Sequence, residues 1–388
     1  MSEQSGSRFT LPLRSNDRVF PLELLLDVVF VFAVSQTTEL VIEEEPTWLS
    51  LASGLLMLAL LWRGWTGFAW LTSALDPRNA VTRISIFIAL GAFLLLAVAI
   101  PGAFHGGTAL LFAGAYAVIR ITHVVLGWMA SGGDERFRAT AGRNAIGGVV
   151  AVALLVTGAF MHGPAQYLLW TLAVLADYLI PAGVGSIGWN LSASHFAERH
   201  ALIIILALGE SVLAIGMGTT HAGVSAASAT LAMAAVCLVV GLWSAYFDGT
   251  ADAAERRLAS LPPGPRLNGM ARFNYSLLHL VMFSADIVVS LGVFTALTEP
   301  AVPLSLVVSA AFFGGLAVYL LTLVLFRWRT TGVVNRRRVA LAVVMMVLIP
   351  LGTMLGGWVS LSIAAALMLL LMVLQRAVPT PSAETVAP

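Results

Sequence analysis

The apolar residues of this chain are gathered into runs of about 20, the length that crosses a bilayer core of about 30 Å as a helix. Twelve such runs can be marked, at residues 21–41, 47–70, 83–101, 107–130, 144–162, 165–190, 199–218, 225–248, 272–298, 302–326, 338–355 and 357–375. The pattern predicts an all-α integral membrane protein, a polytopic bundle of about 12 transmembrane helices. Within several runs a few polar residues interrupt the apolar ones, and those interruptions carry the functional reading.

The arginines give an independent check on the number of spans, because cytoplasmic loops collect positive charge. With the N-terminus inside, all of the arginines except Arg63 and Arg120 fall in inner segments and none in outer loops. One helix more or fewer breaks this pattern. The expected topology is therefore multi-pass in the bacterial inner membrane, with both termini cytoplasmic. Residues 1–20 form a polar cytoplasmic tail rather than a cleaved signal peptide, since the apolar run after them contains carboxylates and lacks a small-residue cleavage site. The transmembrane domain is placed at 21–376, with possible halves 21–190 and 199–376, and residues 377–388 are expected to be a disordered tail. Glu43, Glu44 and Glu45 fall in the first outer loop as a solvated run. The inner loops around Gly132–Arg143 and Gly249–Arg272 are too short for a separate domain, and Pro262-Pro263-Gly264-Pro265 marks a linker. A thin echo between Glu23–Gln36 and Glu198–Ser211 is compatible with parallel six-helix repeats.

Composition narrows the class. Of 388 residues, 59% are hydrophobic and 11% charged, with a mean hydropathy of +0.91, whereas soluble domains are about a quarter charged. A net charge of +1 gives no clustered basic surface for nucleic acid. The single Cys237 excludes an intrachain disulfide framework or a cysteine metal cluster.

An ionisable group in a transmembrane helix is expensive, so it faces a partner or a cavity. The run Pro21–Leu40 holds Glu23 and Asp27, which share a stripe with Val34, Ser35 and Thr38. Two carboxylates four residues apart repel unless a cation lies between them, which makes them a candidate proton or cation site. Glu23 can also cap the helix or pair with a loop arginine. In the fourth run Tyr116, Arg120, His123 and Gly127 form one polar face. Arg120 is a candidate counter-ion for a helix-1 or helix-7 carboxylate, and His123 either shuttles a proton or packs as a hydrogen-bonded ring. Arg63, flanked by Trp62, Trp65 and Trp70, reads as a side chain snorkelling to an aromatic belt.

Asp177 precedes Pro181 and Gly183-Val-Gly185-Ser-Ile-Gly188. The glycines spell GxGxxG but lack the strand that a nucleotide fingerprint requires, so a kinked or unwound helix is expected, or close glycine-mediated packing. His195, Glu198 and His200 do not match zinc-protease spacings, and neither a metal nor a cofactor is assigned. Further along, Glu210 and Ser211 lie near mid-membrane on a small-residue face. His279, Asp286 and Ser290 share another face, and Asp248 ends its helix at the inner surface, solvated.

Two of these stretches, Pro21-Leu-Glu23-Leu-Leu-Leu-Asp27-Val-Val-Phe30 and His195-Phe-Ala-Glu198-Arg199-His200 with Leu208-Gly-Glu210-Ser211, resemble the bacterial low temperature requirement A (LtrA) family in order and spacing. The likeness extends from about Leu11 to Gln375, with Leu25-Leu26 where the family more usually has two phenylalanines. It implies a multi-spanning protein connected with growth at low temperature, and it singles out Glu23, Asp27, Glu198, Arg199, His200 and Glu210. The functional expectation is a secondary transporter or permease for a small solute or ion, with proton coupling as one option, more a carrier than an enzyme. Its expected partners are membrane lipid and that solute. Asp27 and Glu210 titrate in this reading, against Arg120. An ion channel, and an intramembrane enzyme using His195, Glu198, Arg199 and His200 on a lipid or isoprenoid, are the alternatives.

Overall fold

The computed structural model describes residues 11–12, 14, 18–42, 46–105, 107–132, 134–182 and 191–377. Among them, twelve long helices follow one another: α1 (Pro21–Val41), α2 (Trp48–Ala74), α3 (Ala80–Ala99), α4 (Ala109–Ala130), α5 (Glu135–Ala159), α6 (Pro164–Ala182), α7 (Ala193–His221), α8 (Ala226–Phe247), then past the short α9 (Ala251–Ala259), α10 (Pro265–Thr298), α11 (Leu306–Thr331), α12 (Arg336–Gly352) and α13 (Gly357–Ala377). Eleven are long and apolar enough to cross a membrane; α12, of 17 residues, opens with three arginines. The protein is thus a polytopic helical membrane protein.

Helix starts follow their capping residues. Asn79 accepts the N–H groups of Val81 and Thr82 to open α3, Ser225 and Ser228 form a reciprocal box at α8, and Asn335 opens α12, each satisfying donors that the first turn leaves free. Two loop expectations are corrected by such signals. Asp134 accepts from Arg136 and Phe137 and starts α5 at Glu135, so residues 135–143 are helix although their arginines read as loop. Residues 251–259 form α9, and Pro265 stands in the first turn of α10, where its missing N–H costs nothing. At the other end of α11, Gly332 takes the left-handed conformation (φ 74°) and its N–H bonds the Trp328 carbonyl, as a helix stop requires. The GxGxxG run, the Glu43–Glu45 run and the C-terminal tail lie outside the described residues; α6 itself continues through Pro181 to Ala182.

The helices divide between two compact units. The first takes the chain up to Leu40, Ser53–Arg199 and Leu261–Arg272; the second takes Val41–Ala52, His200–Ser260 and the chain from Phe273. In the first, Phe30, Trp62, Trp65 and Phe93 build a buried aromatic centre, with Trp62 and Trp65 5.0 Å apart between ring centres. The second is filled by Leu242, Phe312, Phe313, Leu316, Met345 and Met368, where Gly241 lets Met368 approach and Gly315 lets Val289 approach. Large apolar side chains such as Val28, Ile84, Val149 and Val347 remain exposed, as expected of a lipid-facing surface. Both α10 and α11 widen into π-helical turns, at Ala271–Leu277 and Ala310–Gly314.

Candidate functional site

Three groups of buried polar side chains stand out among the described residues, two in the first unit and one in the second.

The first is organised by α1 and the opening of α7. Glu23 and Asp27 are both fully buried, and the cation between them is Arg199. Its Nη2 bonds Asp27 Oδ1, its Nη1 lies 3.6 Å from Glu23 Oε1, and Nη1 also donates to the Thr72 hydroxyl at 3.0 Å. Trp65 Nε1 donates to the same Asp27 oxygen at 2.7 Å, leaving Asp27 Oδ2 buried with no hydrogen-bond partner among the described residues. Glu23 is held from the other side. It accepts the Phe20 N–H at 2.8 Å and pairs with Arg14 at 2.8 Å. Glu23 therefore both caps its helix and meets a loop arginine. Arg14 sits on a segment bonded in extended fashion to the end of α2, its N–H reaching the Ala74 carbonyl while Asp76 N–H reaches Pro12. Burial lowers the Arg14 pKa from its ordinary value, and the Glu23 charge works against that fall. His195 Nε2 lies 3.0 Å from Arg14 Nη1 and 3.2 Å from Glu23 Oε2, so a proton on Nε2 binds the glutamate and its absence admits the arginine.

The second group joins α2, α4, α5 and α6 around Asp177. Arg120 Nη2 pairs with Asp177 Oδ1 at 2.7 Å, Tyr116 donates to Oδ2 at 2.5 Å, and Arg63 Nε stands 3.4 Å from Oδ1. Arg120 also donates to the Asn144 carbonyl at 3.0 Å and to His123 Nδ1 at 3.1 Å; Arg63 donates to Asn144 Oδ1 at 2.7 Å. Two glycines make room: a Cβ on Gly148 would come within 3.1 Å of Arg120 Nε, and one on Gly67 within 2.9 Å of the His123 ring.

These contacts correct three expectations. Arg120 takes Asp177 as its carboxylate, and Asp27 takes Arg199, because the α6 carboxylate points into the polar face of α4. Arg63 does not snorkel: its side chain is 11% exposed and turns inward to Asp177, with Trp62 and Trp65 fully buried beside it. Asp248 is not simply solvated; it accepts from Arg376 at 3.0 Å and from Ser244.

The third group is in the second unit. Asp286, buried on α10, accepts the Ser211 hydroxyl of α7 at 3.2 Å, and the Ser211 and Ser290 hydroxyls are 2.8 Å apart. Asp286 Oδ2 is buried without a hydrogen-bond partner. Glu210, next to Ser211, is 4% exposed. No basic side chain pairs with Asp286 among the described residues. Nearby, His279 donates from Nδ1 to the Asn274 carbonyl at 2.9 Å and accepts at Nε2 from Tyr246 at 2.8 Å. His200 packs edge-on to His279 and Tyr275.

The expected His195, Glu198, Arg199 and His200 group is therefore split. His195 and Arg199 meet Glu23, His200 joins the aromatic rings of the second unit, and Glu198 is exposed. Reading the sequence alone missed Arg14, Thr72 and Asn144, none of which carries a local signal, and misassigned Trp65, whose indole serves Asp27.

The two charged stretches that meet at Arg199 lie inside a matched family region: residues 18–373 correspond to the family described as "Bacterial low temperature requirement A protein (LtrA)". The chain belongs to the LtrA family. One relative of this LtrA protein, "Uncharacterized protein RA0937" from Rhizobium meliloti (strain 1021), is 28% identical over 292 residues, covering 72% of this chain and 70% of the relative. No solved structure matches it.

Proposed function

We propose that this LtrA protein is a proton-coupled secondary transporter of a small solute or ion, lying in the bacterial inner membrane with both termini cytoplasmic. The observation that supports it is Asp286. A buried carboxylate either finds a cation or takes up a proton, since desolvating an isolated charge is prohibitive. Among the described residues Asp286 is offered only hydroxyls, Ser211 directly and Ser290 through it, and keeps one oxygen unbonded. A group so placed gains and loses a proton whenever the protein around it alternates between states of different solvation, and coupling follows when the solute favours one of the same two states. The orientation draws on the twelve-span reading of the sequence, which puts the arginines in inner segments apart from Arg63 and Arg120.

Proton movement in proteoliposomes across an imposed pH gradient, with a panel of small solutes, tests this. Wild type should move protons in a solute-dependent way, and Asp286→Asn and Glu210→Gln should abolish that movement while still reconstituting. Tight liposomes under every condition would overturn the reading.

A further inference from the structure

The group around Asp177 carries more positive charge than it can neutralise. Arg63 and Arg120 both converge on this one carboxylate, whose second oxygen is taken by Tyr116. A third guanidinium, Arg272, is half-buried in the same unit. No carboxylate other than Asp177 pairs with any of the three among the described residues. The Glu23 and Asp27 group of the same unit is balanced by contrast, with Arg14 and Arg199 against two acids.

An uncompensated arginine differs from an uncompensated carboxylate in one respect. Asp286 can take a proton and become neutral, whereas guanidinium keeps its charge at any physiological pH. Excess positive charge among packed helices must therefore be met by an anion from outside. Arg120 is 2% exposed and cannot supply the contact, but Arg63 is 11% exposed. Its Nε and Nη2 are held by the Asp177 carbonyl and Asn144, which fixes the plane of the guanidinium and leaves Nη1 to donate to an oxygen of a carboxylate or phosphate.

We propose that Arg63, with Arg120 behind it, forms the binding site for a small oxyanion. Resting on the transport reading above, this names the substrate class: an anionic solute carried with a proton, so that the loaded carrier moves little net charge. The same chemistry is offered by an anionic lipid headgroup.

Calorimetric titration of the full chain in phosphatidylcholine nanodiscs with acetate, benzoate and inorganic phosphate, at constant ionic strength made up with sodium chloride, tests the site without requiring transport. Saturable binding of at least one oxyanion is expected, weakened at least tenfold in Arg63→Gln. Asn144→Asp should weaken it as much, because a fixed carboxylate then stands 2.7 Å from Arg63 Nη2; its second oxygen meets the Thr140 carbonyl, so the readout is anion affinity rather than stability. Saturable binding lost in both variants supports the site even if liposomes prove tight, in which case only the transport reading falls. No saturable binding, or binding unchanged in both variants, overturns it. Binding that appears only when phosphatidylglycerol replaces phosphatidylcholine, without added anion, assigns the arginine to a headgroup and overturns the substrate class.

Discussion

The Glu23 and Asp27 group and the Asp286 group both bury carboxylates in long apolar helices, yet they solve opposite problems. In the first, two acids meet two arginines, a histidine and an indole, an arrangement that holds α1 to the opening of α7 and to the end of α2. In the second, an acid meets hydroxyls alone. Salt-bridged charges are costly to separate and serve as structure, while a lone carboxyl can change its state without breaking an ion pair. Burial by itself therefore does not separate a structural carboxylate from the titrating one that the transport proposal requires; the presence or absence of a cation beside it does.

The contrast can be broken at its strongest point first. Arg199→Gln strands Glu23 and Asp27 without their shared cation and should destabilise the protein by about 3–5 kcal/mol, seen as loss of the monodisperse peak in fluorescence-detected size exclusion. Asp286→Asn, which replaces a carboxyl that has no counter-ion to strand, should leave that peak intact. Combining Asp27→Asn with Arg199→Gln should recover part of the loss, with a coupling of about 0.5–3 kcal/mol in a double-mutant cycle; strict additivity would refute the pairing. Gly148→Ala pushes a methyl against Arg120 and should cost about 1–3 kcal/mol in thermal unfolding, without touching the Asp286 proton. The smallest effect belongs to the α2–α3 loop. There the Arg78 hydrogen bond holds the Asp76 carboxyl below its ordinary value. Its stabilisation is present above the unfolded carboxylate pKa of about 4 and fades as pH falls through the lower folded value. Asp76→Asn should thus cost less than about 1 kcal/mol near pH 7 and nothing in strong acid; a larger loss at low pH would contradict the sign.

The helices were legible in the sequence because lipid imposes length and apolarity on every span, so the twelve runs of about 20 residues survive as the twelve long helices. Where polar residues begin a helix, as at 135–143, the apolar signal starts late and only the Asp134 cap marks the true start. Carboxylates inside spans were equally legible, but their partners were not. Asp27 finds Arg199 across 172 residues and Arg120 finds Asp177 across 57, and no periodicity on one helix announces which arginine another will present. Arg63 illustrates the cost: three tryptophans near it in sequence spell an interface belt, yet Trp62 and Trp65 point inward with it.

The separation of Asp27 from Arg199 also sets a schedule for synthesis. Arg14 precedes Glu23 by 9 residues and is at hand as soon as α1 is made, but the charged partner of Asp27 lies 172 residues downstream. At about 5–20 residues per second, the ribosome takes about 10–35 s to deliver it. For that interval Asp27 is without its arginine and, as a buried carboxylate without a cation does, waits as the neutral acid; the ion pair that ties α1 to α7 forms only once residue 199 has been made.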